Sequence, residues 1–411
     1  MSKSAFCCRS CGSPDLRLIL SLGHTPLANA LLTAEQLGAP EPVYPLDVVF
    51  CSNCALVQIT ETVPPEVLFS DYLYFSSFSD TMLKHAEALA DELTQARGLG
   101  AESLVVEIAS NDGYLLQFYK QRGVPVLGIE PAANIARAAE AERGIPTLCE
   151  FFGAELGQRL RAEGQQADVI HAHNVLAHVA DLNGVVQGIA ALLKPDGVAV
   201  IEVPYVKDLI DHREFDTIYH EHLCYFSLTA LDRLFARYGL VIADVRRVPI
   251  HGGSLQIHAM RADAAVRSAA VQTLLAEEAA WGVDDFAFYA GFACAIEALR
   301  ADLRTLLGSL KAQGKALAAY GASAKGSTLL NYCGIGAETL DFVADRSTYK
   351  QGRYTPGTHL PIVAPATLLQ EQPDYVLLLT WNFADEILDQ QAEYRRRGGQ
   401  FIIPIPQVRV V

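Results

Sequence analysis

Four adjacent residues with chemically active side chains, Tyr219, His220, Glu221 and His222, stand out in a chain of 411 residues. Imidazole and carboxylate groups act as general acids and bases, and they are also ligands for transition metals. A polar surface turn has the same composition, and adjacent positions need not face one site, because neighbouring side chains point in different directions. Three interpretations therefore stay open, namely an acid–base centre, a metal site and a surface turn, and the surrounding elements must decide between them.

Two Cys-x-x-Cys pairs, CRSC at residues 8–11 and CSNC at residues 51–54, lie near the N-terminus. Each pair puts two thiolates across a tight turn, which is the arrangement that tetrahedral zinc binds. Two unrelated reduced pairs, or one redox pair, are the alternatives. We predict that one structural zinc ion binds the thiolates of Cys8, Cys11, Cys51 and Cys54. Cys7 is an alternative ligand to Cys8. Four thiolates leave no open coordination position, so this zinc should build structure and take no part in chemistry.

The formal net charge of −15 argues against a protein that follows nucleic-acid phosphates with a basic surface. Hydrophobic residues make up 51% of the chain and charged residues 19%, which indicates a globular protein. The length predicts two to four domains. The N-terminus has no apolar signal-peptide core, and no uninterrupted apolar run has the length of a membrane span. We therefore expect a cytoplasmic protein with no nucleic-acid or membrane partner, whose oligomeric state the sequence does not indicate.

Strands and helices alternate after the cysteine region, which predicts a parallel, doubly wound sheet. The predicted strands span residues 104–108, 126–130, 168–171 and 198–203. The first ends in EIASNDG at residues 107–113, a small and polar turn that lets a cofactor approach the backbone. The second ends at Glu130, where a carboxylate can bind two ribose hydroxyls. No GxGxxG motif is present, and the turn is closer to an S-adenosylmethionine loop, with Ala109 and Asn111 at positions where glycine is usual. A Rossmann-like sheet with an empty or different site is the alternative.

A second, smaller Rossmann-like sheet is predicted after the helical stretch at residues 266–312. Its first strand ends in the turn YGASAKG at residues 320–326, which precedes a helix. Backbone N–H groups at such a helix N-terminus can bind phosphate. The turn is not a Walker motif, because Lys325 precedes the second glycine. An ordinary glycine-containing turn is the alternative.

The whole chain resembles the S-adenosylmethionine-dependent C-methyltransferases that act on carbon 3 of nucleotide-linked 4-keto deoxysugars. The resemblance rests on motifs in the same order, namely the two cysteine pairs, YLYFSS (72–77), EIASNDG, NVLAH (174–178), DTIYHEH (216–222), HGG (251–253), YGASAKG, NYCGIG (331–336) and KQGRYTPGTH (350–359). It implies an α/β protein of three domains. These are a small zinc-binding domain at 1–78, a class I Rossmann-like methyltransferase domain at 79–265, and a C-terminal Rossmann-like α/β domain that binds the sugar nucleotide at 266–411.

The resemblance also implies roles for individual residues. The expected S-adenosylmethionine site consists of Glu107, Ala109, Asn111, Asp112, Gly113, Glu130 and Asn174. The expected contacts with the sugar nucleotide come from Ser323, Lys325, Lys350 and Arg353. The family's Tyr-x-Glu-His motif, here residues 219–222, supplies the catalytic base. This sequence departs from the family pattern at Ala109, where glycine is more usual, and at His220, where an acid is often found.

Carbon methylation next to a ketone needs a base for the carbon-3 proton and donors for the enolate oxygen. We predict His222 as the base, with Glu221 orienting it or a substrate hydroxyl. The candidates for polarising the ketone or fixing the sugar are Tyr219, Tyr74 and His178. No metal is required, because S-adenosylmethionine is already electrophilic. Two other function classes stay open, namely an O- or N-methyltransferase acting on another small molecule, and a non-catalytic zinc- and nucleotide-binding protein.

Overall fold

The computed structural model of the protein describes residues 6–64, 68, 77 and 80–411, and it has the predicted α/β fold. The first of its three sheets is antiparallel, with strand order β1-β2-β3-β9. Its strands are β1 (Leu16–Thr25), β2 (Tyr44–Cys51), β3 (Val57–Ile59) and β9 (Cys224–Tyr225). The last of these lies about 165 positions after β3, so a distant part of the chain completes the N-terminal sheet.

The second sheet has seven strands in the order β10-β11-β8-β7-β4-β5-β6. They are β4 (Val105–Ile108), β5 (Val126–Ile129), β6 (Thr147–Leu148), β7 (Ala167–His173), β8 (Leu193–Pro204), β10 (Leu240–Val248) and β11 (Ser254–Arg261). The five strands β4 to β8 run parallel, and β11 pairs antiparallel with both β8 and β10. The chain moves outward from β4 through β5 to β6, then returns to the other side of β4 as β7. Ligands of open α/β sheets bind at such a point of reversal, beyond the carboxyl ends of the strands.

The third sheet has six strands in the order β14-β13-β12-β15-β16-β17. They are β12 (Leu317–Tyr320), β13 (Val343–Ala344), β14 (Ile362–Val363), β15 (Tyr375–Leu378), β16 (Gln400–Ile403) and β17 (Arg409–Val410). All pairs are parallel except β16 with β17. The order of strands reverses between β12 and β15, as it does between β4 and β7 in the second sheet. The prediction of a second Rossmann-like unit is therefore confirmed.

Helices cover and connect the sheets. The α-helices of the described residues are Asp80–Arg97, Leu116–Gln121, Ala133–Arg143, Ala154–Ala162, Leu182–Leu192, Val206–Asp211, Leu228–Ala236, Ala269–Trp281, Phe286–Tyr289, Phe292–Ala312, Ala324–Cys333, Thr367–Glu371, Ala384–Gln390 and Ala392–Arg396. Short 3₁₀ helices lie at Ala34–Gly38, Leu176–His178, Phe215–Thr217, Ile250–Gly252 and Trp381–Phe383. Within these ranges, no helix has both the length and the apolar character needed to cross a membrane.

One cluster of the apolar core contains residues of all three sheets. Phe50 of the first sheet, Ile201 of the second and Leu377 of the third belong to one cluster of buried residues in mutual contact. The longest helix, Phe292–Ala312, supplies leucines at three- and four-residue spacing to this core, which is the apolar stripe of an amphipathic helix. The three units are therefore packed against each other. The domain bounds 1–78, 79–265 and 266–411 remain a prediction.

Candidate active site

The four thiolates of the Cys-x-x-Cys pairs meet in the structure. Their sulfur atoms all lie within 4.8 Å of one another, with 3.5 Å between Cys8 and Cys54 and between Cys11 and Cys51. Zinc with Zn–S bonds of about 2.3 Å holds its sulfur ligands roughly 3.8 Å apart in a tetrahedron, so the cluster fits this ion. Cys7 is exposed and outside the cluster, so Cys8 is the ligand that the geometry supports.

Gln58 connects the cysteine cluster with the segment that contains His222. Its Nε2 donates to Sγ of Cys8 at 3.2 Å, and its Oε1 accepts the backbone N–H of Arg9 at 3.0 Å. Hydrogen bonds around a metal site orient its ligands. Gln58 also pairs with Cys224 between β3 and β9, two positions after His222. The zinc-binding unit therefore holds one end of residues 216–225, which we call the catalytic segment because the predicted base lies in it.

His222 lies in a hydrogen-bonded chain within this segment. Its Nδ1 lies 2.8 Å from the carbonyl oxygen of Thr217, and its Nε2 lies 2.9 Å from the hydroxyl of Tyr219. A carbonyl oxygen only accepts hydrogen bonds, so Nδ1 of His222 carries the proton and donates a hydrogen bond to the Thr217 carbonyl. In the neutral ring Nε2 is then unprotonated, and its lone pair accepts a hydrogen bond from the Tyr219 hydroxyl. The carbonyl of Thr217, which sequence reasoning missed, therefore sets the tautomer that leaves Nε2 basic.

The structure also brings His178 to this chain, and Glu221 is the neighbour of His222 in the sequence. The ring of His178, from the loop after β7, meets the ring of His222 edge-on with centroids 4.8 Å apart. Oε1 of the buried Glu221 carboxylate accepts the side-chain amide of Asn29 at 2.7 Å. Burial raises the pKa of Glu221, and the Asn29 bond opposes that rise. His222 thus contacts two of the other predicted catalytic residues, Tyr219 and His178. Tyr74 falls outside the described residues.

His220 points away from this chain and into the N-terminal unit. It is 2% exposed, its Nε2 donates to the carbonyl of Pro45 at 3.2 Å, and its ring meets that of Tyr44 edge-on. Burial lowers the pKa of His220, which favours the neutral ring. The departure from the family pattern at this position is therefore an interdomain contact.

The turn after β4 has the left-handed backbone that a glycine-rich loop would adopt. The φ angles of Ala109, Asn111 and Gly113 are 52°, 49° and 76°. Asparagine tolerates this conformation, whereas alanine pays about 1–2 kcal/mol for it. Replacement of the usual glycine by Ala109 therefore strains the turn but does not remove it.

Buried carboxylates surround this turn. Glu107 and Asp112 are each 1% exposed, and one oxygen of each has no hydrogen-bond partner among the described residues. Burial, followed by the charges of Asp112 and Glu130, raises the pKa of Glu107 well above its ordinary value. The other oxygen of Asp112 contacts Ser77 and Arg143. Unpartnered buried oxygens are costly, so this pocket fits a ligand with cationic or hydroxyl donors, such as S-adenosylmethionine.

Glu130 and Asn174 stand on the two sides of the point where the sheet order reverses. The two oxygens of Glu130 accept the backbone N–H groups of Asn111 and Ala132 at 3.0 and 2.9 Å. A carboxylate offers about four acceptor positions, so both oxygens can still accept ribose hydroxyls. Asn174 has a φ of 56° and a buried Oδ1 without a partner in the described residues. The predicted cofactor residues therefore surround one region at the carboxyl edge of the second sheet.

The structure puts His171 and His173, two histidines of β7, in a buried polar chain. His171 lies 2.9 Å from both the Tyr119 hydroxyl and His173. His173 and His85 lie 2.8 and 2.7 Å from the two oxygens of the fully buried Glu202. His85, His173 and Glu202 have the spacing of a metal site. Ion-pair contacts of His85 and His173 with Glu202, together with a hydrogen bond from Gln256 to Oε1, account for the close approach of these groups.

The predicted substrate residues lie around the turn after β12. Ser323 caps the helix Ala324–Cys333, because its hydroxyl accepts the N–H of Gly326 at 3.1 Å. The Nζ of Lys350 donates to the carbonyl of Ala322 at 2.8 Å and so fixes the turn from outside. The side chain of Arg353 is exposed in the loop after it. Ser323 and Lys350 therefore shape the turn, and Arg353 is open to a ligand.

Lys325 faces the boundary between the second and third sheets. Its Nζ is buried without a hydrogen-bond partner in the described chain and lies 5.1 Å from the ring centre of Trp381. Trp381 donates to the carboxylate of Asp216 at 2.7 Å. Burial raises the pKa of Asp216 to about 6 and that of Glu214 to about 7, and the positive charge of Lys325 opposes both shifts. Lys325 therefore already balances two buried carboxylates next to the catalytic segment.

Comparison with known proteins assigns a family to this architecture. Three family models match successive parts of the chain, namely "Putative zinc binding domain" at residues 8–69, "Methyltransferase domain" at 82–245 and "C-methyltransferase C-terminal domain" at 249–406. The C-methyltransferase NovU of Streptomyces niveus is 41% identical over 406 residues, which cover 98% of this chain and 96% of NovU. The chain belongs to the C-methyltransferase family. It is an S-adenosylmethionine-dependent C-methyltransferase with a zinc-binding N-terminal unit.

More distant relatives match smaller parts of this C-methyltransferase. A ubiquinone biosynthesis O-methyltransferase of Methylobacterium nodulans is 31% identical over 106 residues, which cover 25% of this chain and 41% of that protein. A solved structure of magnesium protoporphyrin IX methyltransferase from Synechocystis PCC 6803 with bound SAM aligns with a TM-score of 0.35 and 13% identity, covering 48% of this chain and 88% of that one. The full-length relative transfers methyl groups to carbon, which favours carbon over oxygen or nitrogen as the acceptor.

Proposed function

We propose that this C-methyltransferase transfers a methyl group to carbon 3 of a nucleotide-linked 4-keto deoxysugar. The observation that carries the proposal is the chain from the Thr217 carbonyl through His222 to Tyr219, with distances of 2.8 and 2.9 Å. A carbon acid needs a base before it becomes a nucleophile, whereas many oxygen and nitrogen acceptors do not. A neutral imidazole with an oriented lone pair meets that need.

His222 is the proposed base. Nε2 takes the proton from carbon 3, and the two electrons of that C–H bond form the enolate with the adjacent ketone. The ring becomes an imidazolium whose Nδ1–H stays bonded to Thr217. S-adenosylmethionine, when bound, supplies the electrophilic methyl group that carbon 3 receives, and S-adenosylhomocysteine leaves.

The developing negative charge on the ketone oxygen needs hydrogen-bond donors. Tyr219 and His178 are the proposed donors, because both rings contact His222 and therefore stand near any group that His222 deprotonates. On substrate binding, the one Tyr219 hydroxyl proton would turn from Nε2 to the ketone oxygen, which leaves the Nε2 lone pair for the carbon-3 proton. Glu221 is proposed to bind a sugar hydroxyl and so fix the ring relative to the base. Thr217, rather than Glu221, makes the orienting bond to Nδ1. Tyr74 remains a proposed participant on the strength of the family motif.

The proposed S-adenosylmethionine contacts follow from the burial of the pocket. Glu130 accepts the ribose hydroxyls, and the turn at residues 107–113 borders the methionine part. The unpartnered oxygens of Glu107 and Asp112 are acceptors for its ammonium group. Asn174 completes the opposite side, and Ala109, Asn111 and Gly113 contribute their left-handed backbone. These assignments explain why one oxygen each of Glu107 and Asp112 is buried without a hydrogen-bond partner among the described residues.

The sugar nucleotide is proposed to bind between the catalytic segment and the third sheet. Arg353 is exposed, and the Lys325 ammonium has no hydrogen-bond partner in the described residues, so both can serve a diphosphate. Ser323 and Lys350 hold the turn in front of them. A sugar attached to that diphosphate would lead toward His222, because Lys325 lies beside Asp216 at the start of the catalytic segment.

A mass-spectrometric screen tests the proposal. Sugar nucleotides with a 4-keto group and dTDP, GDP or CDP are incubated with enzyme and deuterium-labelled S-adenosylmethionine, and products are fragmented to locate the label. We expect one labelled methyl group on carbon 3, together with loss of a carbon-3 tritium label to water. Transfer to oxygen, or methyl transfer only to compounds without a 4-keto group, would contradict the proposal.

A further inference from the structure

The zinc-binding unit contributes a side chain to the catalytic segment as well as a strand. Asn29 lies in the turn after β1, and its side-chain amide donates to Oε1 of Glu221 at 2.7 Å. The two residues come from opposite sides of the boundary between the first and second sheets. Asn29 is the hydrogen-bond partner of the Glu221 carboxylate within the described chain. The contact therefore joins the zinc-binding unit directly to the Tyr-x-Glu-His motif.

The surroundings of Glu221 make this single donor important. The residue is 7% exposed, and a buried carboxylate is costly to ionise unless a donor or cation compensates it. No cation is among the groups that shift its pKa, which burial raises and Asn29 lowers. The titratable groups nearby are Tyr219, His220 and His222 in the same segment and His178 against the His222 ring. The Asn29 amide is thus the group that favours the charged form.

The side chain of Asn29 makes little contribution to folding, so its contact with Glu221 points to a role in the candidate active site. Its side chain is exposed, so it buries no apolar surface in the core. The backbone of its turn is closed by other bonds, from Leu31 N–H to the Asn29 carbonyl at 2.9 Å and from Ala30 N–H to the Leu27 carbonyl at 3.1 Å. A change of the Asn29 side chain leaves both bonds available. We therefore expect variants at this position to fold.

We propose that Asn29 is a positioning residue for carbon methylation, whose amide holds Glu221 as an inward-facing carboxylate that binds a hydroxyl of the substrate. The inference rests on the proposed role of Glu221. One oxygen of the carboxylate is occupied by Asn29, and about three acceptor positions remain for a ligand. Loss of the amide frees the side chain to rotate and favours its protonated form, and either change weakens the fixed position of the sugar relative to His222.

The test compares Asn29→Ala, Asn29→Asp and the exposed control His24→Ala with the wild type, with zinc content and melting temperature checked for each. The substrate is a dTDP-linked 4-keto-6-deoxyhexose, and kcat and KM are measured from pH 5.5 to 9.

For Asn29→Ala we expect about a tenfold loss of kcat/KM for the sugar at pH 7, since a hydrogen bond to a charged group is lost. The acid limb of the pH profile should move to higher pH, because the pKa of Glu221 rises. The KM for S-adenosylmethionine should not change. Asn29→Asp should lose more activity than Asn29→Ala, because it puts a second carboxylate against that of Glu221.

A double-mutant cycle with Glu221→Gln separates this inference from the proposed function. In the Glu221→Gln background, Asn29→Ala should cost less than twofold and leave the pH profile where it is, because no carboxylate remains to be positioned. Equal losses in both backgrounds, or an unmoved acid limb, would overturn the role of Asn29 while leaving that of Glu221 standing. Full activity of Glu221→Gln alone would overturn both the proposed role of Glu221 and this inference.

Discussion

The carboxylate of Asp345 accepts the backbone N–H of Ala322 at 2.7 Å, across the turn that follows β12. Glu130 makes the corresponding bond to Asn111 at 3.0 Å in the second sheet. In both units the turn after the first strand, β12 or β4, donates a backbone hydrogen bond to the acid that follows the second strand, β13 or β5. The two Rossmann-like units therefore repeat one device, which holds the turn at the carboxyl edge of the sheet where a nucleotide can reach it.

Replacement of Glu130 should weaken S-adenosylmethionine binding. Glu130→Ala removes the proposed ribose acceptor and the bonds to the backbone N–H groups of Asn111 and Ala132. One hydrogen bond to a charged group contributes about 1.5–3 kcal/mol, or a ten- to hundredfold change in affinity. Titration calorimetry with S-adenosylmethionine measures this, with the exposed Glu140→Ala as control. An unchanged dissociation constant for Glu130→Ala would refute the placement of the ribose.

Loss of one zinc ligand should destabilise the protein and loosen the catalytic segment. Cys51→Ser breaks the four-thiolate cluster, and Gln58 and β9 connect that cluster to the residues after His222. We expect less than one zinc per chain by elemental analysis. The apparent Tm should fall by several degrees, since 1 kcal/mol corresponds to about 2–4 °C in a domain of 150–250 residues. Cys7→Ser is the matched control, because Cys7 lies outside the cluster. Retention of one zinc by Cys51→Ser would show that the ligand set is wrong.

The Glu202 ion-pair cluster should make stability depend on pH in two directions. Burial raises the pKa of Glu202, but His173 and His85 outweigh burial and hold it well below its ordinary value, while Glu202 raises the pKa of His85. The contribution of Glu202 is therefore present above its unfolded pKa of about 4.3 and is lost as the pH falls below that value. The contribution of His85 is present below about pH 6.5 and is lost as the pH rises through its raised folded pKa.

Urea unfolding of wild type, His85→Asn and the exposed control His24→Asn between pH 4 and 9 measures this dependence. The free energy of unfolding of His85→Asn should fall furthest below that of the wild type near pH 5–6, and the difference should shrink toward pH 9. A deficit that is constant across this range would mean that His85 contributes packing rather than charge.

Lys325 should distinguish nucleotide binding from interdomain charge balance. If its ammonium serves the diphosphate, Lys325→Ala weakens binding of dTDP by about tenfold and leaves the affinity for S-adenosylmethionine unchanged. Because Lys325 also offsets the buried charges of Asp216 and Glu214, the variant should be less stable above about pH 7, where both carboxylates are ionised. An equal loss of affinity for dTDP and for S-adenosylmethionine would indicate that the domain boundary is disrupted, rather than that a phosphate contact is lost.

The sequence predicts the elements of this site better than its connections. The turn at residues 107–113 and the loop with Asn174 and His178 were predictable, because the carboxyl ends of parallel strands share one edge. The pairing of Cys224 with Gln58 was not, because a two-residue strand has no periodicity and its partner is far away in sequence. The amide of Asn29 and the carbonyl of Thr217 were missed for a related reason. A backbone carbonyl leaves no sequence signal, and the Thr217 bond arises only when the catalytic segment folds back on itself. Asn29 belongs to no motif, and its bond arises only when the zinc-binding unit packs against that segment.

The histidine at position 222 gives the sharpest test of the chemistry. His222→Asn keeps a donor toward the Thr217 carbonyl but removes the basic nitrogen, so turnover should fall by roughly 10²–10⁴, the usual range for one general base. Both ligands should still bind, because the imidazole acts mainly in the transition state. Exchange of the carbon-3 proton with deuterated water should fall in parallel. The loss of turnover in Tyr219→Phe and in His178→Asn should be smaller than or comparable to that in His222→Asn, since each removes one donor near the enolate oxygen. A His222→Asn enzyme with full exchange and full methyl transfer would move the base elsewhere, and the buried carboxylate of Glu221 is then the next candidate.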